Sequence, residues 1–333
     1  MNTQEREAFW KTLCSLSGND PEKDLEKLRT TIKTPKFLYR YRPVDLNSLE
    51  ALRSNKLYLS TANHYDDPFD TFLHIDTESI RGEFLRAFKT AESTEAVAKG
   101  ARSVFEEILT EEQKAQLTAD NLTKMLSNGL AEELLAFALA LRDDVKKDIW
   151  SVCFSENGFN ETLWLKYADR HKGFVQIYDL ENADHFLCGR LEKCENCGIK
   201  RFGTNIYPVY YSDEPYDATE FVKLVIVHKL EELLGTPIPQ RSYAGMRNGM
   251  WERERTTLIK KKCHEYDEEW RMIVGGPMSP PVMMKWIPSG IILGLRMGET
   301  EKKLVVSMAQ NAGIKDIYRT YIDAQNRLSA MPI

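Results

Sequence analysis

The chain has 333 residues, 42% of them hydrophobic and 29% charged, with a formal net charge of −5. That length supports one large domain or two modest ones, and the acidic balance argues against a general nucleic-acid or anionic-membrane binder while leaving room for a local basic groove. No run approaches the roughly 18 apolar residues that span a bilayer. The opening MNTQEREAFWKTL mixes both charges and lacks an apolar signal core, so the expectation is a cytoplasmic protein without a membrane partner.

Residues 1–36 are expected as a helical segment, with Leu13, Leu16, Leu25 and Leu28 apolar and Asp20-Pro21 marking a helix start. FLYRYR (37–42) has strand character and Pro43 ends it. A short helix follows over 45–54, capped by Asp45 or Asn47 and stopped at Asn55, and then a strand, KLYLST (56–61), and a polar turn, ANHYDDPFD (62–70). From 78 to 147 Leu, Ala, Glu and Lys dominate, and apolar residues recur at helical spacing, as at Phe84, Leu85 and Phe88. This stretch reads as a helical insertion or lid. Strands are expected at 150–156, 173–179 and 268–275, with a short helix over 161–169 between the first two. Tyr207 to Tyr211 and Phe221 to His228 read as strand or buried helix. The end, 290–322, reads as β-α-β with Gly313 as a helix stop. The fold expected is α+β: a central mixed β-sheet with flanking helices and an inserted helical subdomain, the core domain comprising 37–77 and 148–333.

Cysteines stand at 14, 153, 188, 194, 197 and 263, too sparse for a disulfide scaffold. His185, Cys188, Cys194 and Cys197 have paired spacing that suits tetrahedral zinc, against reduced cysteines in a surface insertion. A basic stretch, Arg241 to Lys262, also holds Tyr243 and Trp251, a mixture that grips phosphates and stacks on bases or forms a solvated helix face.

Four groups carry chemistry. In Tyr39-Arg40-Tyr41-Arg42, strand alternation puts the two arginines on one face and the tyrosines on the other, a pair able to hold a carboxylate or pyrophosphate. In LSTANHYDDPFD, Ser60, Thr61 and Asn63 precede Asp66, Asp67 and Asp70, which bind a cation, orient an arginine, or build a turn. Trp164, Tyr167 and His171 recur near one helix face, beside Ser155-Glu156 and a His-Lys-Gly turn. In Tyr266-Asp267-Glu268-Glu269-Trp270-Arg271, Asp267 and Glu269 share a face, and Glu269 or Glu268 serves as a catalytic carboxylate or pairs with Arg40, Arg42 or Arg271. No P-loop, dinucleotide glycine fingerprint, His-Glu-x-x-His helix or nucleophile elbow is present.

In order, FLYRYR, LYLSTANHYDDPFD, VCFSE, LWLKYADRHKGF, YDEEWRMI and IILGLRM resemble a bacterial family of unknown function, which departs here at Tyr65-Asp66 and in the Cys194–Cys197 insertion. The opening unit also resembles the NAD-binding half of ADP-ribosyltransferases. That resemblance implies NAD as substrate, Arg40 or Arg42 binding it, Ser60-Thr61 orienting it and Glu269 or Glu268 as the acidic group. Tyr39, Asn63, Trp164, Tyr167 and His171 would complete the NAD site. It implies a toxin or defence enzyme whose target is a nucleic acid or a protein. Two other readings compete: a metal-dependent nuclease or phosphohydrolase using Asp66, Asp67, Asp70, Glu156 and Glu268, and a non-catalytic module whose arginines and carboxylates pair with one another.

Overall fold

The computed structural model describes residues 1–87, 119–180, 187–188, 206–234, 249–275 and 282–333. His185, Cys194 and Cys197 of the expected zinc set, and Arg241, Tyr243 and Arg247 of the basic stretch, lie outside the described residues. The chain divides into two units. The first comprises 1–72, 146–215 and 253–333, and the second 73–145 and 216–252.

Helix α1 (Thr3–Ser15) opens on a capping box in which Asn2 accepts from Glu5 N–H and Glu5 reaches back to the Asn2 N–H. Helix α2 (Pro21–Arg29) starts where Asp20 accepts from Lys23 N–H and Pro21 sits in its first turn. The expected N-terminal helical stretch is therefore two helices, parted at Gly18, whose φ of 76° leaves the helical region. Strand β1 (Phe37–Arg42), α3 (Leu46–Ser54), β2 (Lys56–Tyr58) and β3 (Ser60–Thr61) follow. Asp45 caps α3, and Asn55 ends it in the left-handed conformation at φ 53°. The single strand expected over 56–61 breaks at Leu59, whose N–H turns to the Val282 carbonyl 2.9 Å away.

Helices α4 (Thr77–Ala87) and α5 (Ala119–Asp148) come next, and α5 runs straight into β4 (Ile149–Ser155). Then come α6 (Glu161–Lys166), β5 (Phe174–Asp179), β6 (Leu187–Cys188), β7 (Ile206–Pro208) and β8 (Tyr210–Tyr211). The ambiguous stretch around Phe221 is helical, within α7 (Thr219–Leu234). Helix α8 (Glu252–Thr257), β9 (Ile259–Lys260), β10 (Glu269–Gly275), β11 (Met283–Lys285), β12 (Gly290–Leu293), α9 (Glu299–Asn311), β13 (Asp316–Ile322) and β14 (Leu328–Pro332) complete the chain.

The first unit is an α+β fold around a mixed sheet of nine strands, ordered β14-β13-β12-β5-β1-β4-β10-β7, with β3 added on β4. Among the described strands of this sheet only β12 and β13 run parallel, joined through α9 as a β-α-β unit. Between β1 and β4 the sheet forks. Tyr39 faces Ser155 in the one ladder pair between them, whereas β1 is paired along all six of its residues with β5. At the far end of the same β4 edge, Ser60 and Thr61 pair with Ser151 and Trp150. Val152, Cys153 and Phe154 therefore have no ladder partner on that side.

Strand alternation sorts the two faces. Leu38, Trp150, Val152, Phe154, Trp270 and Met272 pack with Trp286 and Tyr178 in one apolar core. Tyr41, Leu163, Trp164, Val175 and Ile292 form another. Helices α3 and α9 cover Phe174, Ile291 and Leu293 with Leu49, Leu52, Val305 and Ala309. Each such side chain taken fully from water contributes about 1.5–3 kcal/mol.

The second unit draws on two chain segments rather than on 78–147 alone. Leu73, Ile75, Ile80, Leu134, Ala138, Ala218, Val222 and Ile226 form its core, a parallel bridge joins His74 to Asp217, and Lys223 reaches Glu83 (2.7 Å) and Glu220 (2.8 Å).

Candidate functional site

The fork opens a cleft of about 810 Å³ lined entirely by the first unit, within the range of small-molecule sites. One lip is β1. Arg40 and Arg42 share a face with Leu38 and are half-buried at the opening. Arg40 Nη2 lies 3.4 Å from the Tyr58 carbonyl, and its Nη1, like Nε of Arg42, is buried without a hydrogen-bond partner. Among the described residues neither guanidinium forms an ion pair. Burial pushes the Arg40 pKa down to about 9, with Arg42 adding repulsion, and burial lowers that of Arg42 too. Two desolvated cations side by side are unfavourable until an anion arrives.

The opposite wall is a buried ionic network. Arg271 grips Asp70 with both terminal nitrogens (2.7 and 2.6 Å), and its Nε donates to Glu269 Oε1 at 2.6 Å. Lys260 donates to Asp267 (2.8 Å) and to Glu269 Oε2 (3.0 Å). Burial opposes ionisation of Glu269, but Arg271 and then Lys260 outweigh it and hold its pKa far below the usual carboxylate range. Burial raises that of Asp267, only partly offset by Lys260. With Asp66 and Asp67, five carboxylates face two buried cations on this wall, and His264 Nε2 stands 3.3 Å from Asp67. Cys153 is open to the cleft from the middle of β4, yet so deep that burial, and then the charge of Glu269, push its thiol up to about 12. Both influences favour the thiol over the thiolate.

Of the residues expected for NAD, the structure brings Tyr39, Arg40, Arg42, Ser60, Tyr167 and Glu269 into one cleft, and leaves Thr61, Asn63, Trp164, His171 and Glu268 outside its lining. Thr61 alternates with Ser60, is buried and hydrogen-bonds Asn63, which stands exposed in the next turn. Trp164 is a core residue: fully buried, edge-on to Tyr41 and hydrogen-bonded to the Gly158 carbonyl at 3.0 Å. It has no face free for a ligand ring. His171 stacks on Trp164 at 5.7 Å, outside the cleft. Glu268 takes a left-handed φ of 46° just before β10 and is not in the lining. The expected pairing of Arg40 or Arg42 with the YDEEWR carboxylates is not made either, because Arg271 takes Glu269 from two residues along the same strand face.

Of the carboxylates of the nuclease reading, Asp66, Asp67 and Asp70 line the cleft, whereas Glu156 and Glu268 do not. Asp70 belongs to Arg271, and Glu156 is held by Arg6 (3.2 Å) and by the Trp270 indole (2.9 Å) away from the cleft. Among the described residues no three His, Cys, Asp or Glu side chains are placed to share a metal ion.

Sequence reasoning missed Lys260, Cys153, Tyr65 and His264 as cleft residues. Lys260 was hidden in a basic run, while the Cys153 thiol needed the fork before its exposure had meaning. No family model, curated protein or solved structure matches the chain.

Proposed function

We propose that the protein is an ADP-ribosyltransferase-like, NAD-consuming enzyme acting in the cleft at the β1–β4 fork. The observation that carries this reading is the segregation of charge in the cleft: two unpaired arginines on one lip, and carboxylates in excess of cations on the other wall. NAD has that polarity, an anionic diphosphate at one place and a cationic nicotinamide ring at another. Arg40 and Arg42 take the diphosphate, Tyr39 offers a flat face, and Ser60 a hydroxyl at the cleft edge. Glu269 accepts three hydrogen bonds from Arg271 and Lys260 and a weak fourth from the Cys153 thiol, which a ribose hydroxyl would displace.

The nicotinamide–ribose C–N bond breaks with its electron pair, so nicotinamide leaves neutral and positive charge passes to the ribosyl carbon. Ionised Glu269 is preorganised to stabilise that charge. A nucleophile on the acceptor, or water, attacks the carbon, and its proton goes to the exposed Asp66 and on to solvent. The sum is ADP-ribosyl-acceptor, nicotinamide and a proton. The Arg, Ser and Glu residues on three strands, and the motif order they sit in, lend further support.

The test is nicotinamide release from NAD, read alongside thermal stabilisation by NAD and ADP-ribose. A ligand at about 100 times its dissociation constant adds about 2.7 kcal/mol, a shift of several degrees. The expected result is a shift with both ligands that disappears in Arg40→Met/Arg42→Met, and turnover abolished in Glu269→Gln that still folds by circular dichroism. No shift and no release from the wild-type chain would overturn the proposal.

A further inference from the structure

The cleft lining carries two exposed aromatic side chains. Phe69 is 59% exposed and Tyr167 41% exposed, and both line the cleft. Lys261 holds its ammonium 3.6 Å from the centre of the Phe69 ring. Lys166, exposed in the lining next to Tyr167, lies 5.0 Å over the Tyr266 ring. An exposed aromatic normally costs solubility and is covered by its neighbours. Here the lining around them is mixed, with His64, Asp66 and Lys166 standing among Tyr65, Pro68 and Leu163.

We infer that Phe69 and Tyr167 form the acceptor subsite and stack the unpaired bases of a single-stranded nucleic acid, with Lys261 and Lys166 on its phosphates. This rests on the transferase reading and narrows its acceptor to one class. Two exposed rings with lysines close by, Lys261 over Phe69 and Lys166 next to Tyr167 in the chain with its ammonium on Tyr266, suit bases with their phosphates, since every base has a π-face and each base step brings one charge. A duplex keeps its bases stacked and presents none to such a surface. The acidic Asp66 and Asp67 at the same rim limit the grip to a nucleotide or two, which accords with a net charge of −5.

The test is fluorescence anisotropy of labelled oligo-dT, oligo-rU, a matched duplex and poly-glutamate at low salt, using the whole chain without NAD. Single strands are expected to bind, and the duplex and the acidic peptide to fail. Two phosphate contacts on a single strand give a slope of about −1.4 for log K against log salt. Phe69→Ala and Tyr167→Ala are each expected to weaken binding roughly tenfold, with the melting temperature of Phe69→Ala unchanged as the check on folding. A preference for dT or rU identifies the source as DNA or RNA, and equal binding assigns the shared chemistry. No binding of either strand, equal binding of duplex or poly-glutamate, or unchanged affinity in Phe69→Ala overturns the inference. Because these measurements use no NAD, failure of the transferase reading shows separately, as absent nicotinamide release from the same preparation.

Discussion

Arg271 and Asp70 are 201 residues apart in the chain and meet in a fork-to-fork contact, Nη1 to Oδ1 at 2.7 Å and Nη2 to Oδ2 at 2.6 Å. Both side chains are almost wholly buried, and the Thr257 carbonyl accepts a further bond from the same guanidinium at 2.7 Å. The contact ties the polar turn after β3 to β10, and so holds the acidic wall of the cleft in place.

Removing one partner of such a pair leaves a buried charge uncompensated, at a cost of about 3–5 kcal/mol. Asp70→Asn is expected to lose stability on that scale in urea unfolding, and Arg271→Lys to lose less, since lysine keeps the charge but not the planar fork. Asp70→Leu combined with Arg271→Met should cost less than the two single changes summed, because each single change also strands its partner.

The depressed pKa of Glu269 makes stability depend on pH with a definite sign. A carboxyl whose folded pKa lies below its unfolded one contributes stability that is present above the unfolded value and lost as pH falls toward the folded one. The wild type should lose stability from about pH 5 downward on this account. Glu269→Gln starts lower at neutral pH, with Arg271 and Lys260 short of a partner, but its curve should be flatter over the same interval. A parallel fall in both proteins would show that Glu269 is not the source.

Arg40 and Arg42 hold their charge without compensation, and this predicts an inverted result. Arg40→Met and Arg42→Met keep most of the apolar stem while removing the desolvated cation, so each should raise the melting temperature of the ligand-free chain. The same variants should lose stabilisation by NAD. Stability traded against binding marks a functional site; a fall in melting temperature would mean that the arginines are structural.

Two glycines separate a soft neighbour from a hard one. A Cβ at Gly158 would lie 2.7 Å from the Tyr39 ring, which turns aside at a side chain's cost, whereas one at Gly173 would lie 2.1 Å from the Arg42 carbonyl oxygen. Gly173→Ala is expected to destabilise the fold by several kcal/mol or abolish it, and Gly158→Ala by about 1–3 kcal/mol, with a weakened NAD response because Tyr39 moves. Urea unfolding of the two variants side by side checks the order.

The architecture was largely legible because its signals are local. Asp45 and Asn55 bracket α3, Asp20-Pro21 starts α2, and alternation around Arg40 and Trp270 gives strands that bury one face. The site was legible only in part. That Arg40, Ser60 and Glu269 reach one cleft depends on strand order, which no local pattern encodes. Trp164, Tyr167 and His171 show the limit plainly: helical spacing places them together, but α6 ends at Lys166, and Asp169, Arg170 and His171 all take positive φ. The turn swings His171 onto the buried side of Trp164 while Tyr167 faces out. Glu268 and Glu269 differ by one residue and hence by one face, so only the register of β10 against β4 tells them apart.

The lone rung between Tyr39 and Ser155 makes the nine strands two ribbons sharing a pivot, one ending at β14 and the other at β7. A pivot acts as a lever. At about 3.3 Å per residue, Arg40 sits about 3 Å from it and Arg42 about 10 Å. A twist of ~10° between the ribbons would therefore move Arg42 by nearly 2 Å and Arg40 by about a third of that, against the core in which Leu38 and Tyr178 pack on Phe154 across the fork.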